Sequence, residues 1–566
     1  MSVAKEAAAS SLTEGKGGQV IRRLQQMTAS RQKIEHIIRD CYDHSYPLRG
    51  AEFSSTPNPN APEINIGYGA AKKALLLDST ASDGCRVLAS GMVSGSVPSN
   101  SRWFGLHVED ADDQGKAWLD TAAETLWMNI HNANFDSVAF EGMLDMSIAG
   151  QFVLFVDEDR DRGGFDFQLW PLAQCQTAAS KPGGRIDTVY RKHGLTAQQA
   201  VNKWGIEKVS EAIAKAYYDN PDQVFEFVHA IEPRRMYVPG SKLAKNLPIS
   251  SCHVEVASKK VVEESGFHEM PCVVPRWSVI PGSHQAVGPM FEALPDVRTL
   301  NKLIEFVMSN ADLAIAGMWI AEDDGVLNPR TIRIGPRKVV AANSVDSMKA
   351  LTPGSKFDVA MMEIDRLQRA IRKVLMADQL TPQDGPAMTA TEVSVRVEMI
   401  RQLLGPVYGR LQAEFLQPLV ERCFGLAFRA GVFRTPPESI ADRDFAIRYI
   451  SPLARSQKAV DVAAMDRFEY SLANTAAATG REDLLDIYDI EAAQRLRAEN
   501  LGVPLKLLKT KEDVQEMRDA REEQRAAQAQ AQVAGQAAAA SAGGKVDGNA
   551  MGMALSGMAG ATRRAA

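Results

Sequence analysis

The hydrophobic positions within residues 282–431 predict two helices of matched length, followed by a third, longer one. In the first, which we expect to begin at Pro295, apolar residues recur at alternating steps of three and four and so form one stripe. They are Val297, Leu300, Ile304, Val307, Ala311 and Ala314. The second opens on a capping-box pattern at Ser355 and Asp358 and carries an equivalent stripe. It consists of Phe357, Ala360, Ile364, Leu367, Ile371 and Val374.

Each of these two helices has roughly twenty residues and is therefore about 30 Å long. Single stripes of equal length, with an excursion between them, predict an antiparallel hairpin that stands clear of a globular body. Two core helices of an ordinary enzyme would produce the same pattern, so the pattern alone leaves both interpretations open.

Before the hairpin, the hydrophobic period alternates between helix and strand. Helices are predicted over residues 19–46, 70–94, 116–146 and 196–218. A β-hairpin is predicted at 152–156 and 165–170, around a charged turn. Further strands are expected near 186–191, 225–232, 251–257 and 271–276. Residues 52–281 therefore have the pattern of one α+β domain.

After the hairpin, a Gly/Pro loop at 381–388 leads into the third helix, which opens at a second capping box and ends near Ala430. Pro406 and Pro418 fall inside it, and each is expected to kink it because proline lacks a backbone donor. A strand at 445–450 and helices at 455–477, 489–499 and from 510 onwards are expected. We expect the first 18 residues and the alanine-rich tail to be disordered.

Composition indicates a globular protein of several domains: 566 residues, 45% hydrophobic and 24% charged. A net charge of −6 argues against a protein that grips nucleic acid through a large basic surface. The six cysteines form no CxxC pair, which favours reduced thiols. We expect no secretory signal in the polar N-terminus, and no membrane span, since the longest apolar run is far too short.

The sequence carries no phosphate-binding GxxxxGK[ST] loop and no HExxH, GxSxG or CxxC pattern. We therefore expect no catalytic, cofactor or metal site, and the protein is not expected to be an enzyme. Asp157, Asp159 and Asp161 resemble the start of a calcium loop. However, Gly163 comes one place late and Gln168 stands where a bidentate Glu is needed, so a solvated hairpin turn is favoured.

Two segments without catalytic patterns are candidate contact sites. A basic cluster lies between the two hairpin helices and is formed by Arg330, Arg333, Arg337 and Lys338. It is either a solvated strand edge or a docking surface for an acidic partner or DNA phosphate. The loop before the third helix contains Gln383, Asp384, Gly385 and Pro386. By its sequence alone this loop is a plain connector.

Three parts of the chain resemble portal proteins, the head-to-tail connectors of short-tailed phages (podovirus type). The first is LDSTASDGCRVLASGMVSGSVPSNSRWFGL at residues 77–106. The second is ALPDVRTLNKLIEFVMSNADLAIAGMWIAEDDG at residues 293–325. The third combines MTATEV at 388–393 with LLGPVYGRLQAEFLQPLVERCFGLAFRAG at 403–431. All three occur in the family's order and together span most of the chain.

The resemblance implies a mainly helical α+β portal fold, built as a ring, typically a dodecamer, with a central channel for double-stranded DNA. It implies a wing at 19–281, a stem at 282–316 and 355–379, a clip at 317–354 and a tunnel loop at 380–388. A long kinked helix would return over 389–434, a crown would occupy 435–510, and 511–566 would be a helix and then a disordered tail. The Arg330 cluster would lie on the clip, and Asp384 would project into the channel.

The resemblance also implies partners and a location. The ring would sit at one capsid vertex of the virion, would be assembled late in infection in the host cytoplasm, and would serve DNA packaging and ejection. It would contact the terminase large subunit, tail adaptor proteins, and the major capsid and scaffolding proteins, but no membrane. Two other classes remain: an enzyme acting on DNA, such as a nuclease or motor subunit, and a capsid scaffold or adaptor without a channel.

Overall fold

The fold is taken from a computed structural model of the chain. It describes residues 15–53, 66–108, 111–159, 161–241, 243–316, 318–321, 348–351, 357–380, 405, 407–440, 446–449, 452–481, 487–501, 509 and 511–542. The chain divides into two compact units. The first comprises Met1–Glu109 and Trp118–Ser456, and the second comprises Asp110–Ala117 and Gln457–Ala566.

Helices and strands are both present, as expected of an α+β protein. The helices are α1 (Lys16–Asp43), α2 (Ile66–Lys73), α3 (Thr80–Ser96), α4 (Asp113–Asn132), α5 (Phe135–Ala149), α6 (Ala197–Trp204), α7 (Glu211–Asp219), α8 (Pro289–Ala316), α9 (Phe357–Val374), α10 (Ala377–Leu380), α11 (Gln417–Arg429), α12 (Pro452–Thr479), α13 (Ile490–Leu501) and α14 (Lys511–Ala542). The strands are β1 (Phe104–His107), β2 (Val153–Glu158), β3 (Phe165–Trp170), β4 (Cys175–Ala178), β5 (Thr188–Thr196), β6 (Val224–Pro233), β7 (Ile249–Glu255), β8 (Val261–Phe267), β9 (Cys272–Val273), β10 (Ser278–Val279), β11 (Ala286–Val287), β12 (Met318–Ala321), β13 (Met348–Leu351) and β14 (Ala446–Tyr449).

An antiparallel sheet in the order β4-β5-β6-β7-β8 forms the centre of the first unit. Because successive side chains of a strand point to opposite faces, β6 divides its residues between two cores. Val228 and Ala230 pack on one face against the apolar stripe of α1. That stripe consists of Val20, Ile21, Leu24 and Met27. The helix predicted at 19–46 is thus confirmed, and its stripe covers one side of the sheet.

The opposite face of the sheet meets a layer of aromatic rings. Trp170 stacks on Phe155 with ring centres 4.5 Å apart, and His229 packs against both. His229 also stacks on His253 of the neighbouring strand, at 3.9 Å. Burial lowers the pKa of His253 to about 3, and it lowers that of nearby His193 equally. The pKa of His229 is also lowered by burial, so all three imidazoles are neutral at pH 7.

Helices α8 and α9 pack against each other and form the predicted hairpin. Between them the chain turns back through β12 and β13, which pair antiparallel with Met318 opposite Leu351. The short ladder therefore closes the end of the hairpin. The rest of the excursion, residues 317, 322–347 and 352–356, lies outside the described residues.

The helix that returns after the hairpin has a π-turn, Gln412–Leu416, directly before α11. In a regular helix, the backbone N–H of Pro418 would bond to the carbonyl of Glu414, but proline has none and its ring crowds that carbonyl. The N–H of Gln417 instead donates to the carbonyl of Gln412, five residues back. Where a kink was expected at Pro418, the helix has this π-turn, and Pro406 lies outside the described residues.

A buried ion pair fixes the π-turn to the β-rich part of the first unit. The guanidinium of Arg276 donates from Nε and Nη2 to the two carboxylate oxygens of Glu414, at 2.9 and 2.6 Å. Its Nη2 also donates to the carbonyl of Gly184. Both charged groups are buried, so their partners replace the water that each loses on folding.

In the second unit, ion pairs join α12 to α13, and contacts of Tyr488 join α12 to the segment that leads into α13. Arg497 lies 2.6 Å from Asp466 and 2.9 Å from Glu469, and the Tyr488 hydroxyl also donates to Glu469. The last helix, α14, continues to Ala542, well into the alanine-rich tract. Alanine has the highest helix propensity, which explains why the helix continues into the tail that was expected to be disordered.

Several predicted elements differ from those observed. The first hairpin helix begins at Pro289 rather than Pro295, because Met290 and Ala293 are fully buried and extend the helix before the proline. The helix predicted at 116–146 is two helices, interrupted where the Asn134 side chain bonds to both backbone groups of Phe167. The predictions at 70–94 and 196–218 likewise resolve into two helices each, and β4 and β8 were not predicted.

The neutral imidazoles make stability depend on pH. Because their pKa values in the folded chain lie below the unfolded value near 6.5, the unfolded state binds more protons as the pH falls from 6.5 towards 3. The contribution of these histidines to the free energy of unfolding is fully present above pH 6.5. Below pH 6.5 it should fall by about 1.4 kcal/mol per pH unit for each histidine. The free energy of unfolding of His253→Gln, measured in urea between pH 7 and 4.5, should therefore depend less steeply on pH than that of the unaltered chain. The matched control is His36→Gln, an exposed position, and equal pH dependence in both variants would contradict the prediction.

Candidate functional site

The base of the α8–α9 hairpin is a closed hydrophobic core. Val297 and Leu300 of α8 are buried, and three residues of α9 and the residue directly after its end are buried at helical spacing. These four are Ile364, Leu367, Ile371 and Leu375. Leu375 lies so close to Gly84 of α3 that a β-carbon at Gly84 would come within 2.6 Å of it. The base is therefore set by tight packing against α3.

Hydrogen bonds from the body of the first unit fix the orientation of both helices. On α8, Arg298 donates to Asp40 of α1 at 2.6 Å, and Asn301 accepts from the backbone N–H of Leu77 at 3.1 Å. On α9, Gln368 donates to Asp78 at 2.8 Å. These contacts bind the lower halves of the two helices to the α1–α3 region.

Beyond this base, the hairpin loses its cover. No described side chain of α8 from Asn301 to Asp312 is buried, and the same is true of α9 from Asp358 to Glu363. Met362 exposes 73% of its surface and Val359 exposes 62%. The other large exposed apolar side chains are Phe306, Met308 and Met361. Five large apolar side chains exposed on this part of the hairpin are typical of a protein–protein contact rather than of a solvated helix.

Charged side chains on this exposed part largely pair within their own helix. Lys302 contacts Glu305 at 2.8 Å on α8, and Arg366 contacts Glu363 at 2.9 Å on α9. The bond to Arg366 lowers the pKa of Glu363. Exposed pairs at this spacing contribute little to stability. The apolar side chains, rather than these charges, therefore determine what the surface can bind.

The single-stripe interpretation overlooked these exposed residues, although the sequence carries a signal for them. Phe306 and Met308 flank the stripe position Val307, and Met361 and Met362 follow Ala360. A helix that buries one face against one partner needs no apolar side chains beside its stripe. Apolar residues next to stripe positions thus indicate a second contact face.

The contact sites predicted from the sequence lie outside the described residues. This applies to Arg330, Arg333, Arg337 and Lys338, and to Gln383, Asp384, Gly385 and Pro386. Among residues that are described, no group of three His, Cys, Asp or Glu side chains is arranged to hold a metal ion. The acidic turn is a hairpin turn in which Asp159 accepts from the backbone N–H groups of Asp161 and Arg162. None of the described helices has the length and apolarity needed to span a membrane.

The chain is similar in sequence to known phage proteins. A family model described as "Bacteriophage head to tail connecting protein" matches residues 18–508. The "Probable portal protein" of Bordetella phage BPP-1 is 27% identical over 471 residues, which cover 80% of this chain and 83% of that protein. The "Portal protein" of Salmonella phage epsilon15 is 25% identical over 531 residues, covering 91% and 93% respectively.

The base and the exposed part of the hairpin should respond differently to substitution. Leu367→Ala leaves a cavity in the buried base and should lower the free energy of unfolding by about 2–4 kcal/mol. Met362→Ser removes an exposed side chain of the same helix and should change it by less than about 0.5 kcal/mol. Urea unfolding at low protein concentration measures both. Equal destabilisation by the two variants would mean that Met362 packs within its own chain.

Proposed function

The chain belongs to the family of bacteriophage head-to-tail connecting proteins, and from this we propose that it is the portal subunit of a phage. Copies of it would form a ring at one capsid vertex, with a central channel through which double-stranded DNA enters during packaging and leaves during ejection. The family match over residues 18–508 carries this proposal. The names of the two phage relatives support it.

The exposed apolar part of the hairpin supports assembly as a ring. A closed ring joins each subunit to two neighbours through two different faces. In this proposal α8 and α9 form the stem, and Phe306, Val359 and Met362 pack against the stems of neighbouring copies. Residues that remain exposed in one chain would then become buried in the ring, which gives assembly a hydrophobic driving force.

The other regions are assigned by the same proposal. The wing would be residues 19–281 and the crown 435–510, with the long helix of 389–434 returning from the channel to the wing. The clip, residues 317–354, would present Arg330, Arg333, Arg337 and Lys338 to the terminase large subunit and later to tail adaptor proteins. Contacts with the major capsid and scaffolding proteins would fix the ring in the virion.

The charge of the chain suits a channel that must let DNA slide. Each cation that neutralises a phosphate releases a counterion and tightens binding, so a strongly basic channel would hold DNA in place. The net charge of −6 avoids this. In the proposed tunnel loop, 380–388, Asp384 would repel phosphate, and Gly385 and Pro386 would supply a small backbone beside the DNA.

Ring formation can be tested directly on the full chain. Negative-stain images of the purified protein should show rings with a central hole. Replacing both Val359 and Met362 with serine should raise the protein concentration needed for rings by about tenfold or more, because the lost surface is apolar. Met128→Ser removes an exposed methionine of α4, outside the hairpin, and serves as the control. Particles without a hole at every concentration would argue for an adaptor or an enzyme instead.

The tunnel loop can be tested by changing its charge. Asp384→Lys adds a cation to each copy at the proposed narrowest point and should slow DNA translocation, because every added cation strengthens phosphate binding. Packaging rate and yield would be measured with assembled procapsids. Asp384→Asn, which removes the negative charge without adding a positive one, is the control. Packaging by Asp384→Lys at the unaltered rate and yield would place this loop away from the DNA.

A further inference from the structure

The loop between β6 and β7 holds apolar side chains outward from the end of the central sheet. We call residues 234–247 the tip loop. Met236 exposes 88% of its surface, and its neighbours Tyr237 and Val238 are also exposed, as is Leu243. Leu247, at the end of the loop, is buried and anchors it to the sheet. Four exposed apolar side chains within eight residues form a patch of the kind that marks a contact surface.

Hydrogen bonds fix the backbone of the tip loop, and with it the outward orientation of the apolar side chains. The backbone N–H of Val238 donates to the carbonyl of Asn246 at 3.1 Å, and that of Asn246 donates to the carbonyl of Leu243 at 2.9 Å. The Arg234 side chain donates to the carbonyl of Ser265 in β8. A β-carbon at Gly266 would lie 2.4 Å from the carbonyl oxygen of Ala244, so the loop packs directly on backbone. These bonds hold the loop backbone in the conformation that leaves its apolar side chains exposed.

The positive charge of the tip loop favours an acidic partner surface. Its sequence contains four cations and no acidic residue. Arg235 and Lys245 are exposed, and Arg235 has no hydrogen bond or ion pair with any residue in the described part of the chain. A partner surface should therefore combine an apolar or aromatic side chain with carboxylates. Four apolar groups favour a protein surface over DNA phosphate, which offers no apolar counterpart.

Such a surface exists at the other end of the same strand. At the corner between α7 and β6, Tyr218 exposes 75% of its surface. Asp219 ends α7, and Asp222 lies in the turn that follows. Both carboxylates are exposed, and within the described residues neither is in an ion pair. We call Tyr218, Asp219 and Asp222 the corner surface.

The two surfaces cannot meet within one chain. They lie at opposite ends of β6, whose ten residues span about 33 Å at roughly 3.3 Å per residue. We therefore propose that the tip loop of one copy binds the corner surface of a second copy. Two different surfaces at opposite ends of one element form a head-to-tail contact, and repeated head-to-tail contacts generate a ring when the rotation closes.

This inference rests on the proposed ring and adds to it a second contact between neighbours, outside the hairpin. Aromatic and apolar groups would be buried at its centre, with Arg235 and Lys245 facing Asp219 and Asp222 at its edge. Charges at an interface edge favour the correct partner and orientation more than they add raw affinity. The tip loop would thus fix which face of a neighbour each subunit accepts.

Charge reversal tests the pairing on the full chain. Reversing the corner with Asp219→Lys and Asp222→Lys should raise the concentration for half-assembly by about tenfold. Reversing the tip loop with Arg235→Glu and Lys245→Glu should do the same. Combining all four changes should restore assembly towards the unaltered level. Light scattering and negative-stain imaging give the readout, and unchanged thermal melting shows that each variant folds.

The control reverses two exposed acids elsewhere in the first unit, through Glu158→Lys and Asp161→Lys, and should leave assembly unchanged. Rings that form equally well in all variants would overturn this inference and leave the proposed function intact. In that case the tip loop has another partner, such as an acidic surface of a different protein. An unaltered chain that forms no rings would instead contradict the proposed function itself.

Cross-linking provides a second test that also reads the direction of the contact. All six native cysteines are buried, so a cysteine added at an exposed position has little background. Val238→Cys and Tyr218→Cys chains are prepared separately, mixed, assembled and oxidised. A disulfide-linked dimer should form in the mixture and in neither chain alone. A dimer from Val238→Cys alone, or none from the mixture when rings are present, would contradict a head-to-tail contact.

Discussion

Two packed helices can bury only the side chains that lie between them or against a third element, and this constraint governs the architecture of the chain. The base of the α8–α9 hairpin meets it, since α3 and the α1 region cover Leu300, Leu367 and Ile371. Beyond Asn301 no further element of the described chain covers the hairpin. The apolar side chains there gain stability only from contact with another molecule. In the proposed ring, the neighbouring copy of the chain is the molecule that covers them.

The β-rich part of the first unit, in contrast, packs closely within its own chain. One face of its main sheet is covered by α1 and the other by aromatic rings and neutral histidines. The Arg276–Glu414 pair then joins this body to the helix that returns from the proposed channel. Removing either side chain of this pair would leave the other charge buried without a partner, and this would destabilise the fold strongly. The pair therefore fixes the π-turn to this body, while the apolar side chains of the α8–α9 hairpin beyond its base stay exposed for contact with other molecules.

The sequence predicted the elements whose hydrophobic period is strong and local. The stripe of α1, the β2–β3 hairpin and the hairpin helices α8 and α9 are all present near their predicted bounds. The predicted helix bounds were wrong where contacts with distant residues determine them. The Asn134 side chain interrupts a helix by bonding to Phe167, and buried Met290 and Ala293 extend α8 before Pro295. For the site, periodicity located the hairpin but not its exposed apolar side chains. Apolar residues beside the stripe indicated a second contact face, but where the exposure begins depends on where α3 stops covering α9, which local periodicity does not give.

The π-turn at Gln412–Leu416 has a consequence for how chains of this family can diverge in length. It accommodates one more residue than a regular helical turn, and each residue of an α-helix advances about 100° around the axis. Deleting one residue there would remove the extra residue of the turn but would rotate residues 407–411 by about that angle relative to α11. Because Glu414 is held by Arg276, the rotation could not be shared evenly along the helix. Insertions and deletions should therefore be rare at this turn in natural relatives, even where the amino acids themselves vary.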